Sequence, residues 1–377
     1  MVGGAGARPV IGGAVMRSST DIRINNFDLL RLIAALQVVV EHVIEHFLPA
    51  SRLPAWDWVL QAFPGVPVFF MISGFLISLS FERSKELRIY VQNRMLRIFP
   101  ALWVCLLVTV IGFMLLGGVR LTEVPFGQLL AWAGAQITVG QFYNAPWLRG
   151  YGSGVMNGSL WTIPVELQFY ALVPIIYGIF RLKQRRSGTG ILLALTLPFW
   201  ICGAWFGVVR HGLEDQLWFK LFGVTFVPYV YLFLIGVLVQ RNWDRLSFLF
   251  AGRWPWWLGG YLIVAAGLHA AGLTVGTNWP HPLGIPVLVG LVFSLAYSAP
   301  GLADRVLRRH DVSYGVYIYH MPVINAFLAL GATGGLALVT PVVAVTLLLA
   351  LTSWFVVERP MLRRKRQTLH GATAPGP

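Results

Sequence analysis

The sequence predicts an all-α fold: a polytopic membrane bundle of about ten transmembrane helices with both termini in the cytoplasm. Three observations carry that expectation. The chain of 377 residues is 56% apolar and only 12% charged, half the roughly 25% charge of a water-covered domain. Its apolar residues gather into ten runs, each near the length of about 20 residues that a helix needs to cross the hydrocarbon layer. Its basic residues alternate in density from one connecting segment to the next. The same composition sets aside a collagen-like repeat, since the 40 Gly show no triplet period, and a disulfide scaffold. Cys105 and Cys202 both lie inside apolar runs and are expected to be core thiols.

Taken in chain order, the spans are 27–47, 60–80, 98–117, 159–180, 190–209, 218–239, 255–272, 284–300, 312–330 and 337–357, separated by polar breaks. Residues 118–158 form the one long loop on the far side. It is too short for an independent domain yet rich in aromatics, among them Trp132, Phe142, Tyr143, Trp147 and Tyr151. The Gly-rich residues 1–24 lack the compact apolar core of a signal peptide and are expected to form a disordered cytoplasmic tail. Residues 25–358 are expected to form the membrane domain, and 359–377 a second, basic cytoplasmic tail. No internal repeat is visible.

Charge fixes the expected orientation. Twenty-three basic residues fall on the side of the termini and five on the opposite side, with Arg31 inside span one. That asymmetry follows the positive-inside rule. The net charge of +14 is therefore topological, and nucleic acid is not expected as a partner.

An ionisable group inside a span costs at least about 2.5 kcal/mol and needs a partner, water or a function. Four such groups stand out: Arg31, His42, Glu166 and His320. Arg31 and His42 are eleven residues apart, which is three helical turns plus about 20°, so they share a face about 16 Å apart along the axis. Arg31 could also simply snorkel to the surface, and His42 could hydrogen-bond to a neighbouring helix. His42 and Glu166 lie at similar depths below the outer surface and are expected to pair, the carboxylate making the imidazole a better proton acceptor. Glu41 and His46 are interfacial neighbours. Arg94 and Arg97 share one face at the cytoplasmic start of span three. Such a pair satisfies the positive-inside rule and can also grip phosphate bidentately. Ser73 and Gly74 in span two are small enough for another helix or an extended ligand to come close. The histidines show no cluster with metal-ligand spacing, so no metal is expected.

These motifs coincide with a known family. The Arg31 to His42 stretch, GVPVFFMISGFLIS, RMLRIFPALW, SLWTIPVELQFYALVP, YLFLIGVLV, SYGVYIYHMPVI and VVERP stand in family order over about residues 25–360. The chain resembles the acyltransferase-3 family of integral membrane O-acyltransferases. Thr162 and Pro164 stand where that family often has serine. No extra hydrolase-like domain is expected after the core, and the chain is similar to the stand-alone type that acetylates exopolysaccharides and O-antigen sugars.

The resemblance implies transfer of an acyl group, acetyl foremost, from cytoplasmic acyl-CoA (acetyl-CoA) to a hydroxyl of an outward-facing or polyprenyl-linked carbohydrate at the inner cell membrane. It implies His42 as general base with Glu166 orienting it, and Arg31, Arg94, Arg97 and Ser73 on the donor. Trp161, Tyr170 and His320 are expected on the acceptor. A flippase for a lipid-linked sugar and a non-catalytic scaffold are the competing classes. A flippase would also carry buried Arg, His and Glu, but would more often show repeated halves.

Overall fold

The computed structural model describes residues 22, 25–117, 121–185, 188–273 and 278–364. The expected tail over 1–24 therefore lies, apart from Ile22, outside the described residues, as does the chain beyond 364. Among the described residues there are helices and loops and no strand. In chain order the helices are α1 (Phe27–Phe47), α2 (Asp57–Ala62), α3 (Gly65–Arg83), α4 (Leu87–Leu116), α5 (Phe126–Ile137) and α6 (Thr162–Ile179). Next come α7 (Thr189–Leu213), α8 (Leu217–Phe222), α9 (Val230–Arg241), α10 (Trp243–Phe250) and α11 (Trp254–Ala270). The last four are α12 (Ile285–Ala296), α13 (Leu302–Leu307), α14 (Ser313–Ala329) and α15 (Val339–Ser353).

Each of the ten apolar runs falls on helix. Five helical segments are long and apolar enough to cross a bilayer: Asp57–Arg83, Leu87–Leu116, Gly158–Ile179, Thr189–Arg210 and Gly335–Arg364. Apolar residues face outward on these segments, with Leu115 and Val208 each more than three-quarters exposed, as lipid contact requires. The protein is a multi-pass membrane protein.

Two expected spans are interrupted, and in both a glutamine from a neighbouring helix pairs with the freed backbone. Between α2 and α3, Gln37 of α1 accepts from the Gly65 amide at 3.0 Å and donates to the Leu60 carbonyl at 3.2 Å. Between α8 and α9, Gln168 of α6 accepts from the Phe226 amide at 2.9 Å and donates to the Val224 carbonyl at 3.0 Å. Pro64 and Pro228 have no amide proton, so a continuous helix is costly at both places. Broken backbone at membrane depth persists only where protein groups satisfy it. At the last span, α15 widens into a π-turn, Trp354–Glu358, and helix continues to Arg364, past the expected stop at 357.

α3 and α9 form the closest helix contact, and glycine makes it possible. A Cβ on Gly74 would overlap the Phe233 carbonyl, and one on Gly236 would overlap the Met71 carbonyl. α14 packs between α1, α4 and α15, and its Ser313 to Asn325 stretch is buried throughout. Asn26 stitches the start of α1 to the end of α12, donating to the Ser298 carbonyl at 2.5 Å and accepting from the Ala303 amide at 2.9 Å. Cys105 is buried as expected, whereas Cys202 is only half-buried.

Candidate active site

The structure arranges the polar residues in three zones along α1, from its N-terminal end to its C-terminal end. At the N-terminal end, Asp311, just before α14, is the hub. It accepts from Arg31 Nη1 at 2.9 Å and from Arg97 Nη2, while Arg97 Nη1 lies 3.9 Å from the buried Glu358. Ser313 adds its hydroxyl at 2.5 Å and its amide at 3.3 Å to the other Asp311 oxygen. Burial alone would raise the Asp311 carboxyl, but the Arg97 and Arg31 guanidinium groups and the Ser313 bonds outweigh it and hold the group well below the usual carboxylate range.

The expected clamp of Arg94 with Arg97 therefore divides. Arg97 turns to Asp311, Glu358 and the Tyr314 ring, 6.0 Å away. Arg94 donates to Ser80 at 3.3 Å and lies 5.7 Å from the Tyr170 ring. Its Nε is buried without a hydrogen-bond partner, and no carboxylate pairs with it among the described residues. A spacing of three places two side chains about 60° apart around the axis, enough for packing to send them to different neighbours.

The middle zone is a narrow cavity of about 30 Å³ lined by Arg31, Phe69, Ser73, Glu166, Tyr314 and Tyr317, room for water but not for an acyl chain. Here Glu166 accepts from Tyr170 at 2.6 Å and from Ser73 at 3.4 Å. The expected pair of His42 with Glu166 is not formed. Tyr170, four residues after Glu166, lies between it and Arg94 and not among the walls of the His42 cavity, because an i,i+4 pair on α6 stays on one face.

The third zone is a cavity of about 540 Å³ lined by Glu41, His42, Glu45, Asp57, Trp161 and Arg210 among others, within the size range of small-molecule sites. Val66 and Tyr317 wall both cavities. His42 Nδ1 is 2.9 Å from Glu45 Oε2, and no bond to Nε2 is formed among the described residues. The His320 ring stacks on His42 at 5.2 Å. His320 is fully buried, its Nδ1 is 2.6 Å from the Tyr317 carbonyl and its Nε2 has no partner. That carbonyl accepts only from a ring N–H, which assigns the proton to Nδ1. His42, Glu45 and His46 bring one potential ligand atom each within 4.8 Å of one another, which corrects the expectation that the histidines form no such cluster: the i,i+3 and i,i+4 spacing of one helical turn gathers them once Glu45 is counted.

Trp161 lines the large cavity and packs against Tyr229, ring centroids 5.2 Å apart and tilted by 44°. Trp279 lies beside it and beneath the Arg210 guanidinium, 4.6 Å from the ring. The Gly-rich stretch at 150–158 does not line this cavity. Asn325 pins it, accepting from the Ser153 amide at 2.9 Å and donating to the Val155 and Met156 carbonyls at 2.8 and 2.9 Å. Trp132, Trp147 and Tyr151 pack with Phe113 in a satellite core, so packing claims most of the loop aromatics. Sequence reasoning missed Glu45, Asp311, Glu358 and Arg210. Two of them carried a signal: Glu45 stands three residues from His42, and Glu358 lies within the VVERP block.

A helical bundle carries charged and polar groups along one internal face that ends at a histidine beside an open cavity. The comparison with known proteins gives the family: the acyltransferase-3 family, described as an acyltransferase domain, matches residues 24–357, and the chain belongs to it. It is 34% identical over 365 residues to nodulation protein 10 of Rhizobium leguminosarum bv. viciae, covering 90% of this chain and 93% of that one. It is 26% identical to an O-acetyl transferase of Shigella phage Sf6, with 92% and 98% covered. It is also 26% identical to the exopolysaccharide production protein ExoZ of Rhizobium meliloti, with 80% and 90% covered. No solved structure matches the chain.

Proposed function

We propose that the protein is an O-acyltransferase of the inner cell membrane that moves an acyl group, acetyl foremost, from acyl-CoA to a carbohydrate hydroxyl. In this reading the termini and the Arg97 end of the bundle are cytoplasmic, and the His42 cavity faces outward to an acceptor that can be polyprenyl-linked. The names of two relatives, an O-acetyl transferase and an exopolysaccharide production protein, support the reaction and the acceptor class. The observation that carries the proposal is the His42–Glu45 pair on the wall of the large cavity, with Nε2 left for a substrate.

His42 Nε2 takes the proton of the acceptor hydroxyl as its oxygen attacks the thioester carbonyl. The C–S bond breaks, the thiolate leaves and recovers the proton from the imidazolium, and an ester remains on the sugar. Glu45, not Glu166, orients the imidazole and stabilises its charged form. Glu166, Ser73 and Arg31 line the channel that the donor's arm enters, and the arm passes by displacing Phe69 and Tyr317 at the narrow zone. Arg94, whose Nε lacks a partner, is the inner residue best placed to meet the donor's charge. Trp161 offers a ring face to the sugar, and His320 holds the His42 ring by stacking.

The test compares ester-linked acyl groups on surface glycans from cells carrying wild type, His42→Ala or Arg94→Ala. Loss of ester with normal glycan export is expected for both variants. Equal ester content in all three overturns the enzyme reading, and lost export with unchanged acylation per exported chain points to transport.

A further inference from the structure

Apart from the zones along α1, the Arg97 end carries a recess of about 370 Å³ between α13 and the helix that continues from α15. Four arginines line it, Arg308, Arg309, Arg359 and Arg363, together with Trp354, His310 and Leu362; the Arg359 guanidinium lies 5.8 Å from the Phe355 ring. No carboxylate is among its walls. The pair of Arg309 with Asp304 at 3.6 Å joins two side chains that are 83% and 61% exposed, and solvent screens such a contact. Arg308 and Arg309 both adopt left-handed backbone, at φ 49° and 63°, a conformation that non-glycine residues keep only where surroundings enforce it. The Trp354 indole donates to His310 Nδ1 at 3.0 Å and fixes an aromatic wall.

We infer that this recess is a binding site for a phosphate-bearing ligand. The positive-inside rule asks only for basic residues somewhere in a loop. It does not explain four arginines set around one ligand-sized hollow with no carboxylate among its described walls. Guanidinium groups match phosphate oxygens bidentately, and the aromatic wall suits a flat group attached to the phosphate. The recess borders the buried network, since His310 precedes Asp311 and Arg359 follows Glu358. Two ligands share the required chemistry: the phosphorylated nucleotide end of the acyl donor and the headgroup of an anionic phospholipid. The first rests on the function proposed above; the second does not.

The experiment uses the full chain in phosphatidylcholine nanodiscs. Binding of CoA, of CoA lacking its 3′-phosphate and of inorganic pyrophosphate is measured for wild type, Arg308→Gln/Arg309→Gln, Arg359→Gln/Arg363→Gln and, off the recess, Arg305→Gln. Retention of phosphatidylglycerol is followed in parallel by native mass spectrometry. We expect both double variants to bind pyrophosphate roughly tenfold or more weakly, as loss of charged hydrogen bonds implies, with Arg→Lys versions partly restored and Arg305→Gln unchanged. Weakened CoA binding with lipid retention intact assigns the site to the donor; lost lipid retention with unchanged CoA binding assigns it to the headgroup. If pyrophosphate, CoA and lipid all bind the double variants as they bind wild type, the inference is overturned. None of these readouts needs acyl transfer. Anion binding that depends on the recess in a protein that acylates nothing defeats the proposed function and leaves the site standing.

Discussion

Replacing Asp311 with asparagine keeps its size and removes the charge shared by two arginines. At about 4 Å between charge centres and an effective dielectric of about 20, each arginine gains about 4 kcal/mol of attraction from that carboxylate, before desolvation is counted. Removing one partner of a buried pair costs about 3–5 kcal/mol. Here the arginine side chains are 15–16% exposed and Glu358 stays 3.9 Å from Arg97, which places Asp311→Asn near the lower end, a loss of about 3 kcal/mol. The sign with pH follows from the depressed carboxyl. Its stabilisation is complete above the unfolded aspartate value of about 4 and disappears as pH falls through the lower folded value. Wild type and Asp311→Asn should therefore differ by the full amount at pH 7, and the gap should begin to narrow below about pH 4 and close only below the folded value. Denaturation of purified protein in mixed micelles, read by tryptophan fluorescence at both pH values, measures the gap. A gap below about 1 kcal/mol at pH 7, or one of the same size at pH 3, refutes the hub. The fourfold change Arg31→Leu, Arg97→Met, Asp311→Leu, Glu358→Leu should recover most of the stability that the single change loses, since apolar packing replaces the whole buried network at little cost.

Glu45→Gln should lower kcat about fivefold, from loss of roughly 1 kcal/mol of screened charge stabilisation on the imidazolium, with KM for the donor unchanged. Glu166→Gln should act mainly on donor KM, and the reverse pattern in steady-state kinetics would restore the pairing with His42. Gln168→Leu leaves the Phe226 amide and the Val224 carbonyl unpaired within the bundle and should cost about 2 kcal/mol, measured by thermal unfolding in nanodiscs with Gln168→Glu as a partial rescue. Gly74→Ala drives a methyl into the Phe233 carbonyl and should cost about 3 kcal/mol or more, seen as loss of monodisperse protein on extraction. Asn325→Ala should speed proteolysis within residues 150–158 without altering the helical signal in circular dichroism, and an unchanged cleavage rate would show that other contacts hold the stretch.

Local chemistry made much of the fold legible. The limits expected for span one, 27–47, coincide with α1, because an apolar run bounded by polar residues is written in consecutive positions. The shared face of Arg31 and His42 follows from helical periodicity in the same way, and the two line successive cavities that have Val66 and Tyr317 as common walls. The breaks at 63–64 and 223–229 escaped the hydropathy pattern, since apolar residues flank both and the glutamines that satisfy them sit on other helices.

What the sequence determined alone was where helices form, that they suit a bilayer, and which ionisable residues must be accommodated within it. Tertiary structure decided which group answers each charge. Arg31 is met by a carboxylate 280 positions away, Glu166 goes to Tyr170 and Ser73, and His42 goes to Glu45 within its own helix. Depth and periodicity place a side chain along and around one axis. They do not specify the neighbouring helix or its rotation, and a hydrogen bond, which weakens steeply with distance and angle, is won by the group that packing brings within about 3 Å.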